Sequence, residues 1–252
     1  MSQIQISVAQ LDNYGPWTVS PEPKPEAYLQ MLQTRLFADL EGEFSYRNGL
    51  AFISRFDNTV IISNGLSVED HEDIQKAISR EYPVTVSFGI GYAQNSLDAQ
   101  KQASEALQGT GSSQSEERRE KITGETLDFP GDSLVQIAHI DVDDFTRFTD
   151  GEPIYENHDL IRKINLSLSE HLKPFKGMVF FTGGDNFMAP TNSIDSEKIL
   201  KVLEEVEDEV GIKLKAGIGR AKTAVDAAYF ASEGLHEIRD GDSEGKVVLK
   251  EE

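Results

Sequence analysis

Apolar residues recur along this chain with two periods, and each change of period marks a predicted element. Alternate apolar positions at Ile4, Ile6 and Val8 predict a strand, whereas apolar residues at every fourth position from Tyr28 to Leu40 predict a helix. The first half continues with predicted strands at 50–55 and 59–63, a helix at 67–80, a strand at 84–92 and a helix at 96–107. The second half is predicted to contain a strand at 135–142, a helix at 154–172, a hairpin at 178–189, a helix at 196–210, a strand at 212–219 and a helix at 225–238.

Each half therefore has the order βαββαβ, the split-βαβ or ferredoxin-like pattern of an α+β fold. The halves also match in sequence, because residues 84–107 align with residues 212–235 at an offset of 128. At this offset the aligned pairs include Gly89 with Gly217, Gly91 with Gly219, Asp57 with Asp185, and Asn58 with Asn186. An offset of 129 aligns Asp12 with Asp141. A repeat of this length indicates two tandem domains of one fold.

We place these domains at residues 1–108 and 134–252. Residues 109–133 are rich in Gly, Ser, Glu and Arg and show no apolar period. We interpret them as a linker and expect them to lie outside both sheets.

The charge of the chain narrows the classes of partner. Its 252 residues include 44 acidic and 24 basic side chains, for a net charge of −20. So negative a surface argues against non-specific binding to nucleic acid or to anionic lipid. It is typical of salt-adapted proteins, although an ordinary acidic enzyme is an equal alternative. No segment resembles a membrane span or a signal peptide, so we expect a soluble cytoplasmic protein.

Four aspartates are the candidate catalytic and metal-binding residues. Asp12 and Asp141 follow the first strand of each half, and Asp57 and Asp185 lie in the central hairpins. Because the first strand and the hairpin are neighbours in a split-βαβ sheet, each pair of carboxylates can converge and bind Mg²⁺. Aspartates are also common at strand ends and turns for structural reasons. The pair Asp12–Asp57 ranks slightly higher, since the DNYGPW turn beside it offers backbone donors.

Other polar positions are candidates for binding a phosphorylated ligand. The turn after Asp12 and the glycines before Asp185 would let a ligand approach the backbone. Cations near the strand ends could balance an anionic ligand. The candidates are Asn13, Tyr14, Gly15, Asn58, Gly183, Gly184, Asn186, Arg220 and Lys222.

Composition also restricts the metal chemistry. The chain has no cysteine, and its five histidines show no metal-ligand spacing. A thiolate or histidine zinc site is therefore excluded, which leaves magnesium held by carboxylates. His139, near Asp141, is expected to be a structural residue or to support a ligand rather than to be catalytic.

The motifs LDNYGPWTV at 11–19, RFDN at 55–58, GGDNFMAP at 183–190 and KAGIGRAKTAVDA at 215–227 resemble archaeal GTP cyclohydrolase III. The resemblance covers essentially the whole chain and implies two palm-like domains, similar to polymerase palms and nucleotidyl cyclases. It implies opening of the guanine imidazole ring of GTP, with release of two phosphates and formation of a formylamino-pyrimidine precursor of riboflavin and deazaflavin. It also implies a requirement for Mg²⁺, with two ions expected per site, activation by K⁺, and a homotetramer.

Two alternatives remain open at this stage. A nucleotidyl or diguanylate cyclase would use the same carboxylates to activate a ribose hydroxyl, and GGDNF alone is similar to the hairpin of GGDEF cyclases. A nucleotide-binding sensor without activity would retain the fold and lose the metal site.

Overall fold

The computed structural model of the chain describes residues 2–127, 133–145, 149–243 and 245–252. The described residues form two compact units. The first unit contains residues 4–93 and 98–127, and the second contains residues 2–3, 94–97 and those from 133 onward. Residues 128–132 of the predicted linker lie outside the described residues.

The first unit is a five-stranded sheet with the strand order β2-β3-β1-β4-β5. Its elements are β1 (Ile4–Leu11), α1 (Tyr14–Val19), α2 (Glu26–Tyr46), β2 (Leu50–Arg55), β3 (Asn58–Ile62), α3 (Val68–Glu81), β4 (Val86–Ala93), α4 (Ser96–Gln108) and β5 (Ile122–Gly124). β1 is antiparallel to both β3 and β4, whereas β5 is parallel to β4.

The second unit is a sheet with the order β10-β9-β6-β8-β7. Its elements are β6 (Val135–Val142), α5 (Ile154–Leu172), β7 (Phe180–Gly183), β8 (Asn186–Pro190), α6 (Ser196–Val210), β9 (Leu214–Ala221), α7 (Ala224–Asp240) and β10 (Val247–Glu251). β6 is antiparallel to β8 and β9. Each sheet thus contains the four-strand split-βαβ order, with one added parallel strand at its edge, and the predicted fold class is confirmed.

One face of each sheet carries the larger apolar core. In the first unit, α2 buries Leu32, Leu36, Leu40 and Phe44 against this core. These residues recur every four positions, so they form one face of the helix. The apolar spacing from which this helix was predicted is therefore the spacing of its buried face. At the start of α3, the Ser67 side chain accepts a hydrogen bond from the Asp70 backbone N–H, and the Asp70 side chain accepts one from the Ser67 backbone N–H. This capping box fixes the residue at which the helix begins.

The opposite face of each sheet packs directly against one helix, which is α4 in the first unit and α7 in the second. A Cβ atom added to Gly217 on β9 would lie 1.9 Å from the carbonyl oxygen of Ala231 on α7. The corresponding atom on Gly89 of β4 would lie 2.0 Å from the carbonyl oxygen of Ala103 on α4. Glycine is required at these two positions because the helix backbone occupies the space of a side chain.

Three elements differ from the sequence-based prediction. Tyr14–Val19 form the short helix α1 rather than a turn, and Val247–Glu251 form the unpredicted strand β10. Residues 122–124 of the predicted linker form β5, so the expectation that residues 109–133 lie outside the sheets is wrong there. Both added strands pair along a sheet edge through backbone hydrogen bonds, which need no apolar alternation.

The strand pairing also corrects the alignment of Asp12 with Asp141. Leu11 on β1 pairs with Val86, and Val142 on β6 pairs with Leu214. Since residues 86 and 214 differ by 128 but residues 11 and 142 differ by 131, the first strands align at an offset of 131. Asp12 therefore corresponds to Asp143. The residue of the first unit that corresponds to Asp141 is Gln10, so the two predicted pairs of aspartates are not equivalent.

Candidate active site

Asp141 lies at the end of β6, between two neighbouring strands. It pairs in register with Asn186 on β8 and with Lys215 on β9. The adjacent residues Ile140 and Val142 point into the larger core, so the Asp141 side chain points to the face that α7 covers. Only 3% of this side chain is exposed.

Asp185 lies in the turn that joins β7 to β8. Gly183 and Gly184 precede it with φ values of 119° and 63°, a backbone conformation that glycine adopts at little cost. Burial raises the pKa of Asp185, and the negative charge of Asp141 raises it further. The structure thus brings these two carboxylates within electrostatic reach of each other, at the end of β6 and beside the hairpin.

A hydrogen-bonded chain orients the Asp185 carboxylate. Asn186 Nδ2 donates to Asp185 Oδ1 at 3.1 Å, and His139 Nε2 lies 2.8 Å from Asn186 Oδ1. Because Oδ1 can only accept, His139 carries its proton on Nε2 in this contact. Burial lowers the pKa of His139, which favours the neutral ring. His139 therefore fixes the amide of Asn186, and the amide in turn fixes Asp185.

Two cations flank Asp141, and the sequence did not single out either. Arg239 on α7 places Nη2 at 2.7 Å from Asp141 Oδ1, and Lys215 places Nζ at 3.6 Å from Oδ2. Lys215 also lies 3.0 Å from Asp143. Lys215 is the first residue of the motif at 215–227, but its position opposite Asp141 follows only from the strand pairing. Arg239 reaches the site from the last turn of α7, about three helical turns beyond the end of the motif at 215–227.

Arg220 and Lys222 do not join this cluster. β9 runs antiparallel to β6, so Arg220 pairs with Gln136 rather than with Asp141. The five residues that separate positions 215 and 220 span roughly 17 Å of strand. Arg220 instead donates from Nε to Gln136 Oε1 at 2.6 Å and lies near Glu251. The Lys222 backbone N–H donates to Glu252.

The first unit arranges its aspartates differently. Asp12 is buried, and its carboxylate accepts hydrogen bonds from Thr85 Oγ1, from Ser87 Oγ and from the Glu120 N–H, at 2.7 to 2.9 Å. Asp57 is more exposed and pairs with Arg55 at 3.3 Å. The β1 and β3 backbones meet here, since the Leu11 N–H donates to the Asp57 carbonyl at 3.1 Å. Each carboxylate nevertheless has protein partners of its own.

Arg118 supplies a buried positive charge next to Asp12. Its side chain is 1% exposed, and Nη1 lies 4.0 Å from Asp12 Oδ1. No guanidinium nitrogen of Arg118 has a hydrogen-bond partner among the described residues. Burial lowers the pKa of this guanidinium, whereas Asp12 raises it. The position that would suit a cation beside Asp12 is therefore taken by a side chain of the protein.

The remaining candidate residues of the first unit lie around the same strand end. Asn13 adopts a left-handed conformation with φ of 51°, and Tyr14 and Gly15 begin α1. Burial raises the pKa of Tyr14, as do Glu26 and Asp57. Asn58 pairs with Gln10 across β3 and β1.

The donor set of the second unit fits a hard cation. Magnesium prefers oxygen ligands and often takes only one or two carboxylates, with water and phosphate oxygens completing its shell. Asp141 and Asp185 supply two carboxylates, and Asp141 Oδ1, although it lies 2.7 Å from Arg239 Nη2, has no partner of hydrogen-bond geometry among the described residues. Among the described residues, no group of three or more His, Asp or Glu side chains could hold a metal alone. Water or phosphate oxygens would therefore have to complete the shell of the ion.

Comparison with known proteins gives the family. The sequence model of GTP cyclohydrolase III matches residues 5–252. This chain belongs to the GTP cyclohydrolase III family. GTP cyclohydrolase III of Methanothermobacter thermautotrophicus is 46% identical over 250 residues, covering 98% of this chain and 100% of the relative. GTP cyclohydrolase III of Methanocaldococcus jannaschii is 44% identical over 248 residues, covering 98% and 90%. The resemblance noted in the sequence is thereby confirmed.

Solved structures of other proteins are similar to this GTP cyclohydrolase III family chain at low sequence identity and low TM-score. The GGDEF domain of DgcB from Caulobacter crescentus, solved with c-di-GMP, is 18% identical with a TM-score of 0.40, covering 46% of this chain and 77% of its own. A bacterial light-regulated adenylyl cyclase is 12% identical with a TM-score of 0.39, covering 98% and 85%. In the described part of the chain, no helix is long and apolar enough to cross a membrane.

Proposed function

We propose that this protein opens the guanine imidazole ring of GTP, with Asp141 and Asp185 as the metal-binding pair. The product would be 2-amino-5-formylamino-6-ribosylamino-4(3H)-pyrimidinone 5′-phosphate, with two phosphates released. The observation that carries the assignment of the site is the approach of a buried and a half-buried carboxylate, Asp141 and Asp185; burial and then the charge of Asp141 raise the pKa of Asp185. Like charges held together in this way favour a divalent cation between them.

The choice of the second unit rests on its difference from the first. Gln10 takes the place of Asp141 in the first unit, and Asp12 is already satisfied by three hydrogen bonds and Arg118. The geometry therefore favours Asp141–Asp185 over Asp12–Asp57, the opposite of the ranking from the sequence. Family membership over the whole chain supports the reaction.

The residues of the second unit have separable tasks in this proposal. Asp141 and Asp185 would hold magnesium, with two ions expected, and the metal would lower the pKa of a water molecule so that it could act as the nucleophile near neutral pH. Lys215 and Arg239 provide positive charge beside Asp141, where they can contact phosphate oxygens. Gly183 and Gly184 leave the hairpin backbone open to the ligand. His139 and Asn186 keep Asp185 in place.

Three further properties are proposed on family grounds. Potassium activates the enzyme by contacting the base, the protein works in the cytoplasm, and it assembles as a homotetramer. Each follows from membership of the GTP cyclohydrolase III family rather than from a contact in the second unit.

The test compares four Asp→Asn variants in a GTP assay across a magnesium titration. Asp141→Asn and Asp185→Asn should lower turnover by more than about 100-fold at limiting magnesium, because loss of a metal-binding carboxylate exceeds the roughly 10–100-fold loss typical of its supporting residues. Asp57→Asn is the matched control in the other hairpin and should retain activity. Asp12→Asn should mainly lower stability, since it leaves Arg118 as an uncompensated buried charge.

The products separate the competing reactions. Ring opening changes the ultraviolet spectrum of the purine and releases phosphate. A cyclase would release pyrophosphate and leave the purine spectrum intact, and a sensor would leave GTP unchanged. Wild-type activity in both Asp141→Asn and Asp185→Asn would show that the ions are held elsewhere.

A further inference from the structure

The outer face of α5 exposes large apolar side chains. The inner face buries Ile161, Ile164 and Leu168 in the core of the second unit. On the outer face, Tyr155 is 69% exposed and Leu166 is 60% exposed. Single exposed apolar residues are common on protein surfaces, so these two are informative only through their arrangement along the helix.

Four residues on this face form a single line along the helix. Tyr155, Asp159, Arg162 and Leu166 have the spacing i, i+4, i+7 and i+11, which places them on the same side of an α-helix. We call this line the α5 stripe. Its order along the chain is apolar, acidic, basic, apolar. Arg162 is exposed and Asp159 is half-buried, and they lie 4.0 Å apart, at the limit of an ion pair.

The α5 stripe is complementary to itself when one copy is reversed. An antiparallel second helix places Leu166 of one copy opposite Tyr155 of the other, and Arg162 opposite Asp159. Every contact then occurs twice, as it must when two identical surfaces meet about a twofold axis. The two apolar contacts lie at the ends and the two opposite-charge contacts lie in the middle.

Charge also favours this face as a place where two copies can meet. The whole chain carries a net charge of −20, so most surfaces of two copies repel each other. Within the α5 stripe the charges of Asp159 and Arg162 cancel, and the neighbouring Lys163 offsets one of the two flanking carboxylates, Glu156 and Glu170. We propose that the α5 stripe docks on the α5 stripe of a second copy of this chain, in antiparallel orientation. This proposal is independent of the catalytic site.

The first test uses charge reversal and measures the mass of the wild-type protein and its variants by light scattering over a dilution series. Asp159→Arg alone places Arg against Arg, and Arg162→Asp alone places Asp against Asp, so each should raise the dissociation constant of the pair at least about tenfold. The double variant Asp159→Arg/Arg162→Asp restores opposite charges and should recover association. Leu166→Glu should abolish it, whereas Tyr229→Glu, at an equally exposed aromatic on α7, should not.

The second test uses the absence of cysteine in the chain. Tyr155→Cys mixed with Leu166→Cys should form a disulfide between the two variants on oxidation. Neither variant alone should cross-link, because the same residue in two antiparallel copies would be about 16 Å apart along the helix, beyond the roughly 7 Å that a disulfide spans between Cα atoms. Circular dichroism confirms that each variant is folded.

Three results would overturn the proposal. They are a wild-type protein that stays monomeric at all concentrations, single charge reversals that leave the mass unchanged, and cross-linking of either cysteine variant with itself but not with the other. If the α5 stripe instead binds a different protein, the purified wild-type protein would stay monomeric.

Discussion

Glu41 is a carboxylic acid whose surroundings favour its neutral form. It lies on α2 and is half-buried, and Oε2 accepts a hydrogen bond from the Ala51 N–H at 2.7 Å. Burial raises the pKa of Glu41 to about 7, although the hydrogen bond acts in the opposite direction. The folded protein therefore binds a proton here that the unfolded chain releases above its ordinary carboxyl pKa.

This difference predicts how stability changes with pH. Between about pH 4.5 and 7, the folded state holds more protons at Glu41 than the unfolded state, so this group lowers the free energy of unfolding as pH rises. Glu41→Gln removes the effect and keeps an acceptor for Ala51. We expect the variant to melt at a higher temperature than the wild type at pH 8, and the difference to disappear at pH 4.5. A difference that is constant across this range would contradict the raised pKa.

The aspartates show how much of the candidate site could be predicted from the sequence. Asp141 and Asp185 could be selected because carboxylates after a strand and in a neighbouring hairpin are expected to meet. The alignment of Asp12 with Asp141 was wrong by two residues, and a slip of two preserves the alternation of apolar residues on both faces of a strand. Lys215 and Arg239 could not be found, since their approach to Asp141 depends on strand register and on where α7 ends.

At the scale of elements, the close contact of α7 with β9 depends on the absence of a side chain at Gly217. The helix backbone lies so close to Gly217 that a Cβ atom would overlap the Ala231 carbonyl. We expect Gly217→Ala to lower the free energy of unfolding by about 3 kcal/mol, at the upper end of overpacking effects. Gly42→Ala is the matched control. Gly42 lies within α2, and no described atom outside the backbone of its own helix would lie within 4 Å of an added Cβ, so alanine there should stabilise by up to about 1 kcal/mol.

Urea denaturation of the two variants measures both effects. A Gly217→Ala protein as stable as the wild type would show that α7 can move away from β9 without cost. A destabilised Gly42→Ala protein would show that the outer face of α2 has a contact that its exposure does not suggest.

The elements that were predicted correctly have strong periodic patterns. α2 and α6 bury apolar residues every three or four positions, and β1 and β6 alternate, so both types of element follow from the sequence. β5 has three residues and β10 lies on an edge, and neither length nor alternation marks them. α1 was missed because its six residues contain Gly15 and Pro16, which are typical of a turn.

At the scale of the whole molecule, the net charge of −20 predicts a dependence of stability on salt. Screening shortens the Debye length from about 10 Å at 0.1 M salt to about 3 Å at 1 M, which weakens repulsion among the acidic side chains. We therefore expect the melting temperature to rise with potassium chloride over this range, as in proteins adapted to a saline cytoplasm. Calorimetry at constant pH checks it, with choline chloride as the control for a specific effect of potassium. A melting temperature independent of both salts would argue against salt adaptation.

The edge strand β5 determines where the chain can be cut into working fragments. A fragment that ends at residue 108, the boundary suggested by composition, would lose the strand that covers one side of β4 and the arginine that neutralises Asp12. It would expose unpaired backbone groups of β4, a surface on which foreign strands can add, and so would tend to aggregate. A fragment that extends to residue 127 keeps both. Expression of the first unit alone therefore requires the segment that, from composition, looks most dispensable.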